Sequence, residues 1–101
     1  MQRTRLLLAA FALSSIAGAA YAAGDVAAGQ QKAASCAGCH GAKGEGKGAN
    51  PKLAGMPAAS FTKAMGDYKS GARNSPMMKS LSANLSAKDV ENLAAYYASL
   101  K

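Results

Sequence analysis

Both cysteines and the single histidine of this 101-residue chain fall in one pentapeptide, Cys36-Ala37-Gly38-Cys39-His40. The pattern C-x-x-C-H has the spacing of covalent haem attachment. Two intervening residues let one helical turn present both sulfurs to the edge of a macrocycle, where each thiol can form a thioether with a vinyl group. The adjacent imidazole is then placed to bind the iron from one face. Three other chemistries are open to these residue types. A thioredoxin-like redox pair needs a βαβ setting, and no convincing strand pattern occurs. A structural zinc site usually takes four ligands, more than the cysteines and histidine supply. A plain disulfide is the simplest use of two cysteines in an exported protein. The pentapeptide together with an export signal favours haem.

That export signal spans Met1 to Ala22. Arg3 and Arg5 supply a positive start, Leu6 to Ala20 a short apolar run, and Ala20-Tyr21-Ala22 a small-x-small cleavage site. An uncleaved membrane anchor is the alternative, but the apolar run is short against the roughly 20 residues of a span. The leader is expected to be removed, with Ala23 as the first mature residue, and the compartment to be a bacterial periplasm. Residues 23–101 then form one small domain, of a size that often needs a staple. A covalent haem would serve, in a chain with no Trp and only two Phe.

The elements that must position the pentapeptide are helices. Asp25 predicts an N-cap for a first helix over Val26 to Ala34, with Gly29 in its interior. Glycine there costs up to about 1 kcal/mol relative to Ala, which invites a packing explanation. After His40, the run Gly41 to Asn50 holds four glycines and no large apolar side chain, and reads as a loop. It lacks the phosphate-loop pattern. Asn50-Pro51 continues the turn, and Leu53 is the apolar residue of the stretch up to Gly55. Pro57 opens a second helix over Ala58 to Ser70, with Phe61, Ala64, Met65 and Tyr68 on one stripe and Gly71 as its stop. Arg73 to Met78 reads as a loop. Ser86 and Asp89 form a capping-box pattern before a last helix striped by Val90, Leu93, Ala94 and Tyr97. The fold class is all-α, with three to four short helices and long loops wrapped around a cofactor.

A haem iron bound by His40 has a second axial position. No other histidine exists to fill it. An open site would favour gas binding or peroxidatic chemistry, whereas a methionine thioether stabilises Fe(II), raises the potential and favours electron transfer. Met56, Met65, Met77 and Met78 are available. Met65 reads as core, Met56 adjoins a helix start, and Met77 and Met78 follow Pro76, far from His40 in sequence. Spacing does not choose between the last two.

The ordered set Ala23-Gly24-Asp25 with Gly29, Cys36 to Gly41, Pro51-Lys52-Leu53-Ala54-Gly55, Arg73 to Met78, and Leu93-Ala94-Ala95-Tyr96-Tyr97 resembles the class I c-type cytochromes. The likeness is greatest to the small bacterial cytochrome c553 and cytochrome c4-like group. The resemblance implies a small cytochrome c fold with one covalent haem c on Cys36 and Cys39, and iron bound by His40. In that group the methionine ligand precedes the Ser capping the last helix by eight residues, which is Met78 here, with Met77 the runner-up. Pro51 would accept the imidazole Nδ1–H, Leu53 would pack on the haem, and Gly29 would meet Tyr96 where the first and last helices cross. The implied function is a periplasmic one-electron carrier of a respiratory chain, not an enzyme. It would shuttle between a quinol-oxidising donor and a terminal oxidase or reductase. The alternatives are a haem subunit held permanently in an oxidoreductase complex, or a gas-binding or peroxidatic protein.

Charge points to partners of the opposite sign. Of 12 Lys and Arg, only Arg3 and Arg5 fall in the leader, and the rest still outnumber five acidic residues two to one. Lys43, Lys47 and Lys52 cluster after the haem motif, where they would steer the protein toward an acidic docking face on a redox partner. A solvated loop is the plainer reading. The scattered lysines and the exported location speak against nucleic acid. No membrane span is expected after cleavage, and a monomer is expected.

Overall fold

A computed structural model of the chain describes residues 24–100. The leader expected over residues 1–22 lies outside them. Five helices occur among the described residues: α1 Val26–Lys32, α2 Ala34–His40, α3 Ala58–Ser70, α4 Pro76–Ala83 and α5 Ala87–Ser99. No strand occurs there beyond one isolated bridge between Lys47 and Asn50. The all-α expectation holds, with more helices than the three to four foreseen.

Local chemistry explains most boundaries. Asp25 caps α1 through a bond from the Ala28 amide, 3.2 Å long. Ser86 and Asp89 make the reciprocal capping box of α5, each side chain accepting the other's backbone N–H at 3.0 Å. Gly71 ends α3 in the left-handed conformation. Two boundaries depart from expectation. The first helix stops at Lys32 rather than Ala34. Buried Ala33 closes α1 by donating to Gly29 and opens α2 by accepting from Cys36 and Ala37. Met77 and Met78 lie in α4, not in a loop. Ser75 caps that helix by accepting from the Met78 amide at 3.3 Å, and Pro76 takes its first position, where a missing N–H costs nothing.

α5 is the centre of the fold. It contributes Leu93, Ala94, Tyr96 and Tyr97 to a core completed by Ala33, Phe61, Met65 and Leu85. Tyr97 meets Phe61 of α3 with ring centroids 5.6 Å apart, and Tyr96 at 5.1 Å. α1 crosses α5 at Gly29. A Cβ there would lie 2.8 Å from Tyr96 Cβ and closer still to the Asn92 carbonyl. The Gly29–Tyr96 contact implied by the resemblance is therefore present, with Asn92 as the tighter neighbour. The same asparagine accepts from the Asp25 amide at 2.8 Å, tying the start of α1 to α5.

Gly29→Ala, blocked by backbone, should cost about 2 kcal/mol. Gly66→Ala in α3, where a Cβ meets nothing within 4 Å, should gain up to about 1 kcal/mol. Denaturant unfolding of the haem-loaded protein reads both, and equal effects would remove the crossing as an explanation for Gly29. The Ser86 amide, with Lys32 at 3.6 Å helping, holds the Asp89 carboxyl below its ordinary range. Its ionised form therefore stabilises the fold above the ordinary carboxylate range of about pH 4. That contribution is lost as pH falls through the lowered folded value. The stability gap between the parent and Asp89→Asn should narrow on acidification, and a constant gap would contradict this.

Candidate functional site

The site is assembled around His40, the last residue of α2 and 6% exposed. Its Nδ1 lies 2.8 Å from the Pro51 carbonyl. A carbonyl only accepts, so Nδ1 carries the proton, and in the neutral ring the lone pair lies on Nε2. The loop between them is pinned to α2 twice more. The Gly46 amide donates to the His40 carbonyl at 2.7 Å, and Asn50 Nδ2 to the Cys39 carbonyl at 2.9 Å. Gly44 brings this loop back onto α5. Its φ is +67°, and a Cβ would stand 2.6 Å from Tyr97 Cε1. Its carbonyl accepts from Leu53 and Ala54, and the Gly55 amide donates to the Tyr97 carbonyl at 2.8 Å.

These loops and α2, α3 and α4 border an apolar recess that opens to solvent. Cys36, His40, Pro51, Leu53 and Met78 all line it, so most of the residues singled out in the sequence meet in one place. A second opening shares Cys36, His40 and Met78 with the first, and adds Cys39, Met77 and Leu81. Met78, half-buried, is common to both openings, whereas Met77 is 65% exposed and borders only the outer one. Met56 and Met65 also line the recess, Met65 as part of the core. Phe61, Tyr68 and Arg73 belong to it as well. The helical stripe of α3 marked the two aromatics as inward-facing, but nothing local marked Arg73. Burial pushes the Tyr97 phenol well above its ordinary range, and the neighbouring Cys36 acts in the same direction. The phenol is neutral at every physiological pH.

The cytochrome c family model matches residues 26–101. The chain belongs to the cytochrome c family. It is 46% identical over 98 residues to cytochrome c4 of Pseudomonas aeruginosa, a match covering 96% of this chain and 49% of that protein. It is 37% identical over 81 residues to cytochrome c-554(548) of Halomonas halodenitrificans, covering 76% of this chain and 98% of that one. Its fold superposes on the crystal structure of reduced cytochrome c4 from Pseudomonas stutzeri with a TM-score of 0.72 and 37% identity, over 78% of this chain and 47% of that chain. This cytochrome c domain thus spans about half the length of the cytochrome c4 proteins it matches, and nearly the whole of the c-554(548) protein.

The family's prosthetic group is a covalent haem c with its iron, and the residues present fit it. Both cysteines carry free thiols, so neither is committed to a disulfide. Two thiols spaced by one helical turn, an imidazole with one nitrogen already committed and apolar walls fit a covalent haem. Acid–organic solvent should leave the haem with the parent polypeptide and extract it from the C36S/C39S double variant. Extraction from the parent would show that Cys36 and Cys39 do not hold it.

Proposed function

We propose that this cytochrome c domain is a periplasmic one-electron carrier whose iron is held by His40 and Met78. What carries the reading is the convergence of His40, from α2, and Met78, from α4, on one apolar recess that Cys36 also lines. When bound, the haem supplies an Fe(III)/Fe(II) couple. The chain's own residues do the rest. Cys36 and Cys39 tether the macrocycle. Pro51 holds the His40 ring and raises its basicity through Nδ1. Met78 offers a soft sulfur that favours the reduced state. Leu53, Phe61 and Met65 keep water from the centre, so that electrons pass without bond-making chemistry.

Exposure of the rim supports a docking role. Met77 and Leu81 lie on the surface of α4 beside the outer opening, at 65% and 40% exposure. Lys43, Lys47 and Lys52 are exposed on the loop that carries Pro51. This arrangement suits brief encounters with acidic faces on a donor and an acceptor, consistent with a quinol-oxidising complex upstream and an oxidase or reductase downstream. The leader over residues 1–22 supports the periplasmic location.

The ligand assignment has a direct spectroscopic test. The oxidised protein should show the weak red-edge absorption band of a methionine-ligated ferric haem. Met78→Ala should abolish it and admit carbon monoxide to the reduced protein. Met77→Ala should keep the band. The opposite pattern would transfer the ligand role to Met77, and a parent without the band would favour the open-site alternative.

A further inference from the structure

Met77 is a large apolar side chain that packing does not explain. It belongs neither to the core nor to the residues packed against it, and it is 65% exposed on α4. Its neighbour Met78 packs against the core and lines both openings. Successive residues of a helix point about 100° apart, so the two side chains leave α4 in different directions. Met78 turns inward. Met77 stands at the border of the outer opening, which also holds His40, Met78 and the exposed Cys39. The remaining methionines of the domain are covered. Met65 is 6% exposed, and Met56 is partly buried against the core. A small solute entering the outer opening from water therefore meets the Met77 sulfur before the Met78 sulfur.

The two positions differ in what an added oxygen would do. Oxidation turns a flexible apolar methionine into a polar sulfoxide. On Met78 the new oxygen would lie in the apolar recess and alter the sulfur offered to iron. On Met77 it would face water. Nor would it loosen the start of α4, where the cap is made by the Met78 amide and the Ser75 hydroxyl, with Pro76 in the first position. We propose that Met77 is a sacrificial oxidation site that consumes hypohalous acids before they reach Met78. The value of shielding Met78 rests on the ligand reading above. In the step, the Met77 sulfur gives two electrons to hypochlorous acid. The O–Cl bond breaks and an S–O bond forms. Chloride carries the electron pair away, and the proton goes to water. The thioether is oxidised to the sulfoxide and the chlorine is reduced to chloride.

Stepwise addition of hypochlorous acid to the haem-loaded ferric protein tests this, with each sample read in two ways. Peptide mass spectrometry locates added oxygen at every methionine and at both cysteine thioethers. The red-edge band reports Met78 on the iron. The first equivalent should fall mainly on Met77 and leave the band intact. Met77→Leu keeps the apolar bulk but has no sulfur, and its band should be lost roughly one equivalent sooner than the parent's. Coincident loss curves for parent and variant overturn the shielding role. Oxygen arriving first on Met78, Met56 or a cysteine thioether overturns the site itself. That order is read in the parent, so it decides even where Met77→Leu does not load haem, and Met77→Ala then supplies the second loss curve. A parent without the band refutes the ligand set beneath the proposal, whereas Met77 oxidised first in that same protein establishes the oxidation site without it.

Discussion

The bond from His40 Nδ1 to the Pro51 carbonyl, 2.8 Å long and spanning 11 residues, is the constraint on which the site depends. It decides which imidazole nitrogen is free, and so which atom an iron can reach. It requires the chain to turn back within a short distance after α2. The glycine-rich run supplies that turn, and Gly44 admits the close passage of Tyr97. The turned loop then delivers Pro51 and Leu53 to the recess. Without the bond, the ring would be free to rotate and the loop would lose its anchor beside the buried imidazole.

A second constraint holds the frame around it. α1 and α5 approach at Gly29 until a side chain on α1 would strike the backbone of α5. That contact fixes the direction of α1, hence the start of α2, hence the cysteines. The aromatic pair of Tyr97 with Phe61 sets α3 against the same helix, and α3 and the turn after it carry Tyr68 and Arg73 to the recess. The five helices are short, and none among the described residues is long and apolar enough to cross a membrane. Their order comes from meeting α5 and the recess rather than from length.

Much of this was legible in the sequence because it rests on local chemistry. Asp25, the Ser86–Asp89 pair and Gly71 act within one turn of the helix they bound, so their residue types suffice. Cys36, Cys39 and His40 are adjacent, so their spacing is their geometry. Gly29 could be noticed locally, although only the packed structure brings Asn92 to it. The break at Ala33 was not legible, since alanine is a good helix former and the bend is imposed by packing. The helical setting of Met78 could have been read from Ser75-Pro76, a capping residue followed by a first-turn proline. The polar run from Arg73 to Pro76 reads as a loop instead. Arg73 was hidden for a different reason. Its neighbours in sequence are polar, and its place over Tyr68 arises only when the turn after α3 closes.

Charge and apolar surface divide the molecule by task. The recess is apolar apart from His40, Tyr68 and Arg73. The exposed lysines and the Met77–Leu81 face lie outside, where they can meet another protein without disturbing the centre. The proposed electron-transfer centre pairs an imidazole nitrogen and a thioether sulfur across one iron. Iron X-ray absorption on the reduced, haem-loaded protein measures this directly. A single sulfur scatterer beside the nitrogen shell, lost in Met78→Ala and kept in Met77→Ala, is the predicted result. A first shell of light atoms alone in the parent would contradict it.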